Sequence, residues 1–166
     1  IIQFLIAFLT PMTEVLLARK ATIDKYMGDA ILAFWNAPLD DPDHERNAAY
    51  ATLEMVEKLK RMNADPSLAR GAHWPGEVKI GVGLSAGRAC VGNIGSNLRL
   101  NYSLIGDTVN LASRLEGLTK LYGVPAVINS RLAEKISDFA LIELDLVRVV
   151  GRDTPERVFA LLGSPE

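Results

Sequence analysis

Two opposite charges lie in an otherwise apolar stretch of residues 21–35, ATIDKYMGDAILAFW. Lys25 comes just before a Gly28-Asp29 turn, and Asp29 lies within that turn. Isolated charges in an apolar hairpin cost free energy unless they face water or a partner. One interpretation is a solvated turn with a weak surface ion pair, which the turn alone favours. The other is that each charge serves a ligand.

A second polar pair lies in NYSLIGDTVNLASRLE, residues 101–116. The pattern predicts a helix here, and on it Asn110 and Arg114 are spaced i,i+4. Their side chains therefore project from the same flank, so that one amide and one guanidinium reach the same place. For this helix alone, a polar flank facing solvent explains the pair as well as a binding function does.

The glycines of GVGLSAG, residues 81–87, do not indicate a phosphate loop. Their spacing is G-x-G-x-x-x-G, no Lys-Ser or Lys-Thr pair follows, and no helix begins there. We interpret these glycines as sites of close backbone packing and bulges within strands.

Composition narrows the function classes. The chain has 166 residues, of which 49% are hydrophobic, and a formal net charge of -2. This is the balance of one globular domain without the basic surface that nucleic acids require, so an anion site must be local. Cys90 is the single cysteine, which excludes a disulfide framework and indicates a reducing, cytoplasmic setting. We interpret His44 and His73 as structural rather than metal-binding, because they lie far apart in unrelated surroundings.

The elements that position the charged residues follow from periodicity and turn signals. The first half of the sequence predicts a helix over residues 1–19, with a kink or restart at Thr10-Pro11. Its apolar stretch is too short to span a membrane. Strands at 22–27 and 30–35 and a helix ending near Met62 follow. The second half predicts a glycine-rich pair of strands at 78–87 and 88–95, a strand at 100–106 and a helix capped by Asp107 or Thr108 with Leu111, Leu115 and Leu118 buried. It then predicts a strand at 126–129, a helix at 131–136, and strands at 140–150 and 156–162. This order is typical of an α+β sandwich, with helices on a largely antiparallel sheet.

Three blocks of the sequence are specific when taken together: TIDKYMGDAILAFWNAP, VGNIGS and NYSLIGDTVNLASRLEGLTKLYGVP. In this order and spacing they closely resemble the class III nucleotidyl cyclases, the adenylate and guanylate cyclase catalytic domains, and above all a bacterial-type adenylate cyclase. The resemblance runs from about residue 5 to residue 162. It implies a ferredoxin-like or palm-type antiparallel sheet covered by helices. We expect residues 1–166 to be a single catalytic domain, truncated at its N-terminus.

The resemblance also implies a reaction. In this family two aspartates hold two divalent metal ions, Mg²⁺ or Mn²⁺, which activate the ribose 3′-hydroxyl and neutralise the triphosphate. Pyrophosphate leaves and a 3′,5′-cyclic monophosphate forms. Asp29 matches the second metal aspartate. The first belongs to a strand resembling F-x-D-I-x-G-F upstream of the first helix. We expect that strand to be missing from this chain, because Ile1 already falls in or just before that helix, and Glu14 cannot replace the aspartate because it lies on the wrong element.

Four further residues match family positions that contact the sugar and the phosphates. Asn110 matches the asparagine that orients the ribose, and Arg114 the arginine that stabilises charge on the α-phosphate in the transition state. Arg88 and Arg152 are expected to hold the β- and γ-phosphates. Arg152 lies in VVGRD, where many relatives have Lys-Gly-Lys, and Val150 replaces the first lysine.

Base selectivity is implied by two positions. Lys25 matches the residue that reads the purine, and an ammonium group can only donate, which suits N1 of adenine and clashes with N1–H of guanine. Ser103 matches the second base-reading position, where a hydroxyl that donates or accepts is compatible with either base. We therefore expect ATP as the substrate.

Family members are head-to-tail dimers with active sites at the interface, so the resemblance implies a homodimer. Asp29 would serve one site, while Lys25, Ser103, Asn110 and Arg114 of the same chain reach into the other. Relatives are often the output domains of longer sensors, some of them membrane-anchored, so we expect an upstream regulatory domain. Two alternatives stay open: a cyclase-like dimerisation or nucleotide-sensing module without turnover, and a guanylate cyclase. An upstream sequence lacking the first aspartate would favour the module.

Overall fold

A computed structural model describes residues 1–69, 74–149 and 151–165 of the chain. The chain forms two compact units, residues 1–80 and residues 81–166. His73 and Val150, both considered above, lie outside the described residues. The single catalytic domain over residues 1–166 stays a prediction.

Over residues 1–69 and 74–80, the first unit contains two long helices and one hairpin. Its elements are α1 (Ile2–Ala18), β1 (Thr22–Met27), β2 (Ala30–Phe34), α2 (His44–Ala64) and a 3₁₀ turn (Pro66–Ala69). These bounds agree with the prediction to within about two residues. Pro11 lies inside α1 without ending it. Of the two alternatives predicted there, a kink or a restart, the restart was wrong. Proline withholds one backbone N–H, and the amphipathic face around it, with Phe8 and Met12 buried, carries the helix through.

Asp41 organises the start of α2. Its carboxylate accepts a hydrogen bond from Asn47 Nδ2 at 2.7 Å and one from the Asp43 N–H at 3.0 Å. The bond from Asn47, followed by the Asp43 N–H and the charges of Lys20 and His44, holds the pKa of Asp41 below its usual value. His44 Nδ1 donates to the Asp41 carbonyl at 2.8 Å, so this histidine is hydrogen-bonded at the start of the helix.

In its described residues, the second unit contains six strands and two helices. They are β3 (Val82–Leu84), β4 (Cys90–Ser96), β5 (Arg99–Ile105), α3 (Asp107–Tyr122), β6 (Ala126–Asn129), α4 (Ser130–Lys135), β7 (Ala140–Val147) and β8 (Glu156–Gly163). The main sheet has the order β3-β6-β8-β7, with β3 and β6 parallel and the other pairs antiparallel, while β4 and β5 form a separate antiparallel ribbon.

The α+β class is therefore confirmed, with a change in pairing. The glycine-rich strands β3 and β4 were predicted as a pair, but they lie in different sheets. The intervening helix α3 explains the parallel partner of β3, because a long crossover connection allows two strands to run in the same direction.

Helix α3 packs its leucine stripe into the core of the second unit. The buried cluster consists of Leu111, Leu115, Leu118, Val127, Val149 and Val158. Strand β3 also approaches α3 closely. A Cβ on Gly83 would lie 2.2 Å from the Ala112 carbonyl oxygen and 2.3 Å from the Glu116 nitrogen. The backbone of β3 therefore touches the backbone of α3, which is the close packing predicted for these glycines.

Leu115→Ala should lower the free energy of unfolding by about 2–5 kcal/mol, because it removes a fully buried side chain and leaves a cavity. The matched control is Leu121→Ala on the same helix, where the side chain is 73% exposed and the change should cost within about 0.5 kcal/mol. Urea denaturation followed by circular dichroism measures both. Equal losses in the two variants would contradict the packing of α3.

Candidate active site

The β1–β2 hairpin carries Lys25 and Asp29 as exposed side chains. Gly28 has φ of 62°, while Asp29 keeps a negative φ, the pattern of a two-residue type II′ turn. Within the described residues neither charged side chain has a hydrogen bond or an ion pair. The surface ion pair considered for them is thus absent, and both charges face solvent.

A β-bulge lies immediately before Lys25. Ile23 pairs with Ala33 and Lys25 with Leu32, so that Asp24 is the extra residue on β1. A bulge bends its strand and changes where the following side chains point. The orientation of Lys25 relative to the rest of β1 is therefore set by a backbone irregularity that the sequence pattern did not indicate.

The first turn of α3 collects two of the predicted phosphate residues. The Arg152 guanidinium donates through Nε to the Asp107 carboxylate. The Thr108 hydroxyl donates to the Arg88 carbonyl oxygen at 2.6 Å. Neither Asp107 nor Thr108 caps the helix as predicted: the N-cap is Gly106, with φ of 147° and no side-chain cap. Both side chains are instead used to tie other segments to the helix start.

Arg152 is shared between two carboxylates. Besides Asp107, it donates from Nη1 to Glu156 Oε2 at 2.9 Å, and Glu156 also accepts from Ser130 Oγ at 3.4 Å. The side chains of Arg152 and Glu156 are 25% and 12% exposed, so this is a partly buried cluster. Sequence reasoning missed both carboxylates; the i,i+4 spacing of Arg152 and Glu156 was the available signal.

Asn110 and Arg114 are exposed residues of α3, one helical turn apart, beside the buried leucine stripe. Farther along the helix, the Tyr122 hydroxyl donates to Asp145 Oδ2 at 2.8 Å. This bond, with burial and the Asp145 charge, raises the pKa of Tyr122, and the positive charge of Arg114 opposes that rise. The same bond, together with the Leu146 N–H, lowers the pKa of Asp145.

Ser103 lies on β5, opposite Gly92 of β4, in the strand that runs directly into α3. The second unit therefore gathers Ser103, Arg88, Asn110, Arg114 and Arg152 on or next to one helix. Lys25 and Asp29 belong to the first unit.

Among the predicted site residues, Asp29 is the one whose side chain suits a hard divalent cation. Its carboxylate is exposed and supplies oxygen ligands, which Mg²⁺ and Mn²⁺ prefer. Over residues 1–69, 74–149 and 151–165, no three His, Cys, Asp or Glu side chains form a group that could hold a metal ion. Asp29 thus fits as one ligand, and Cys90 is exposed and unpaired with another cysteine.

Comparison with known sequences gives consistent results. The family model described as the adenylate and guanylate cyclase catalytic domain matches residues 1–161. Adenylate cyclase 1 of Rhizobium meliloti (strain 1021) is 34% identical over 152 residues, which is 91% of this chain and 22% of that protein. Adenylate cyclase of Anabaena cylindrica is 33% identical over 157 residues, 92% of this chain and 30% of that protein. The chain therefore spans less than a third of either relative.

Two solved structures are similar over nearly the whole chain. The adenylyl cyclase CyaB from P. aeruginosa superposes with a TM-score of 0.83 at 26% identity, covering 98% of this chain and 82% of that one. The guanylyl cyclase Cya2 gives a TM-score of 0.81 at 27% identity, covering 99% and 81%. These similarities confirm the predicted fold class. Among the described helices, none is both long and apolar enough to cross a bilayer.

Proposed function

Because the chain belongs to the adenylate and guanylate cyclase catalytic domain family, we propose that it converts ATP to 3′,5′-cyclic AMP and pyrophosphate. The observation that carries this proposal is the arrangement around α3. Arg88 and Arg152 are both attached to its first turn, and Asn110 and Arg114 follow along the same helix. Such a helix can address phosphates with its N-terminal end and the rest of a nucleotide with its exposed flank.

Each residue has a distinct role in this proposal. Asn110 orients the ribose, so that its 3′-oxygen faces the α-phosphorus in line with the leaving pyrophosphate. Arg114 donates to the α-phosphate oxygens as negative charge grows on them, since a guanidinium stays charged and can form two parallel hydrogen bonds. Arg88 and Arg152 hold the β- and γ-phosphates, which become the leaving group.

Asp29 is proposed as a ligand of divalent metal, Mg²⁺ or Mn²⁺. When bound, two such ions supply Lewis-acid activation of the 3′-hydroxyl and charge neutralisation of the leaving pyrophosphate. The carboxylate of Asp29 is exposed and has no ion-pair partner among the described residues, which supports this assignment. The remaining carboxylate ligand is expected from a strand upstream of α1.

The choice of ATP depends on Lys25 and Ser103. Lys25 offers only donors, and its exposed ammonium group is unpaired within the described part of the chain, so it is available to the adenine N1 acceptor. The similarity to a guanylyl cyclase structure at 27% identity keeps GTP as the competing substrate.

Lys25→Glu should shift the preference from ATP toward GTP, because a carboxylate accepts from N1–H of guanine and repels the N1 acceptor of adenine. The ratio of kcat/KM for the two nucleotides, measured by cyclic nucleotide formation, should fall by about tenfold or more, the size of one charged hydrogen bond. Lys60→Glu is the matched control, since Lys60 is also an exposed lysine of the first unit. An unchanged ratio in Lys25→Glu would exclude Lys25 as the base reader.

A homodimer with sites at its interface is the proposed assembly. The β4–β5 ribbon supports it, because a two-stranded ribbon is marginal by itself and this one exposes apolar side chains. Leu98 at its tip is 97% exposed, and Leu100 and Ile105 are each 58% exposed. In a head-to-tail dimer, a second copy of the chain would cover these apolar side chains. Analytical ultracentrifugation should show a dimer that Leu98→Asp together with Leu100→Asp weakens.

Assay of the purified protein with ATP and Mn²⁺ or Mg²⁺ tests the reaction itself. Formation of cyclic AMP and pyrophosphate in equal amounts is the expected result. ATP binding without cyclic AMP would instead favour a nucleotide-sensing module. The chain spans only part of its longer relatives. We therefore also propose that the same polypeptide carries a regulatory domain and, where it is attached to a membrane, the segment that anchors it.

A further inference from the structure

We propose that Asp107 and Glu156 are positioning residues for Arg152, and that through Arg152 they couple triphosphate binding to the helix that carries Asn110 and Arg114. This inference rests on the proposed function, because it concerns the phosphate subsite of the same reaction. Neither carboxylate has a role in the residue assignments above.

The guanidinium of Arg152 is held by two carboxylates. Arg152 uses its Nε–H for Asp107 and one Nη1–H for Glu156. A guanidinium has five N–H groups, and within the described residues the other three have no hydrogen-bond partner. Two donors are thus used to fix the plane of the group, and three are left for phosphate oxygens.

The two carboxylates belong to different elements of the second unit. Asp107 is the first residue of α3, and Glu156 is the first residue of β8. Glu156 is the more buried of the two and is itself held by Ser130 at the start of α4. Arg152 therefore bridges a fixed point on the sheet to the beginning of the catalytic helix.

A second contact between the Arg152 region and α3 supports this coupling. The Arg152 N–H donates to the Val149 carbonyl at 3.1 Å, and Val149 belongs to the same buried cluster as Leu111, Leu115 and Leu118. Arg152 is therefore linked to the core cluster of α3 through Val149 and to the first turn of α3 through its guanidinium. Displacing the guanidinium would move the start of the helix on which Asn110 lies one turn farther along.

The charge balance determines which outcome is expected. Two carboxylates around one guanidinium leave a net charge of about -1, which by itself opposes a triphosphate. If orientation of Arg152 dominates, removing one carboxylate charge weakens phosphate binding. If repulsion dominates, the same change strengthens it. The partly buried setting of Arg152, with three N–H groups that have no hydrogen-bond partner within the described residues, favours orientation. A long arginine side chain loses rotamer freedom when it binds phosphate unless it is already held.

Binding of inorganic pyrophosphate, titrated by calorimetry in the presence of Mg²⁺, tests the proposal without requiring turnover. Asp107→Asn and Glu156→Gln should each weaken pyrophosphate binding about tenfold, and Arg152→Gln at least as much. Because the carboxylates act through the arginine, the double variant Asp107→Asn with Arg152→Gln should bind no more weakly than Arg152→Gln alone. Glu143→Gln is the matched control, since it breaks the Glu143–Arg157 ion pair between β7 and β8.

Three results would overturn the proposal: unchanged binding in both carboxylate variants, tighter binding in either of them, or additive losses in the double variant. Thermal denaturation identifies a variant that fails to fold, and Glu156→Gln then carries the test in place of Asp107→Asn. Failure of this proposal can be told apart from failure of the proposed cyclase function. The titration measures pyrophosphate affinity and needs no turnover, so a protein that forms no cyclic AMP can still show or lack the predicted changes.

Discussion

Arg114→Ala is expected to lower kcat for cyclic AMP formation by about 10²- to 10³-fold, the usual effect of removing one preorganised donor from a transition state. The KM for ATP should change little, because the proposed contact strengthens only as charge builds on the α-phosphate. Arg114 is exposed on α3 and outside the leucine stripe, so the variant should fold normally. Steady-state kinetics with Mn²⁺ measures the effect.

Arg131→Ala is the control for Arg114→Ala, because Arg131 is also an exposed arginine on a helix of the second unit. Arg114→Lys keeps the charge and loses the planar pair of donors. Its kcat should therefore lie between the kcat of Arg114→Ala and that of the starting protein. A kcat for Arg114→Ala within threefold of the starting protein would remove Arg114 from the mechanism.

Asp29→Asn should reduce the rate by at least about 10²-fold at saturating ATP, because an amide is a much weaker ligand for a divalent cation than a carboxylate. Mn²⁺ binding, followed by electron paramagnetic resonance with a non-hydrolysable ATP analogue, should weaken in parallel. Asp40→Asn removes another exposed carboxylate of the first unit and should leave both readouts unchanged. Asp29→Asn with full activity would exclude Asp29 as a metal ligand.

Mixing the two inactive variants tests the division of roles between chains. If Asp29 and Arg114 of one chain serve different sites, a heterodimer of the two variants contains one intact site and one doubly altered site. Random pairing makes half of the dimers heterodimers, so activity should recover to about a quarter of the original. No recovery, with heterodimers present, would place both residues of one chain in the same site.

Local patterns in the sequence were sufficient for the elements and for the buried stripe of α3. The hairpin bounds and the strand at 126–129 follow from clusters of β-branched residues, and Leu111, Leu115 and Leu118 follow from helical spacing. These features depend on neighbours in sequence. Pairing between distant strands does not, which is why the parallel partner of β3 was missed.

The candidate site was predictable where it depended on a sequence motif. Asn110 and Arg114 project from the flank of α3 that the spacing predicts. The Asp107–Arg152–Glu156 cluster was not predictable from local patterns, because Asp107 and Arg152 are 45 residues apart and Asp107 has the residue type of a helix cap. The bulge at Asp24 was missed for a different reason: a strand with an extra residue keeps the same composition.

The glycine contact between β3 and α3 bears on how this fold tolerates sequence drift. At Gly83 the strand meets the Ala112 and Glu116 main chain with no side chain in between. The distance of α3 from β3 is therefore fixed by two backbones, whose dimensions are the same for every residue type. Substitutions elsewhere in the core of this unit can change its volume without moving Asn110 and Arg114, which lie on α3, away from the strand.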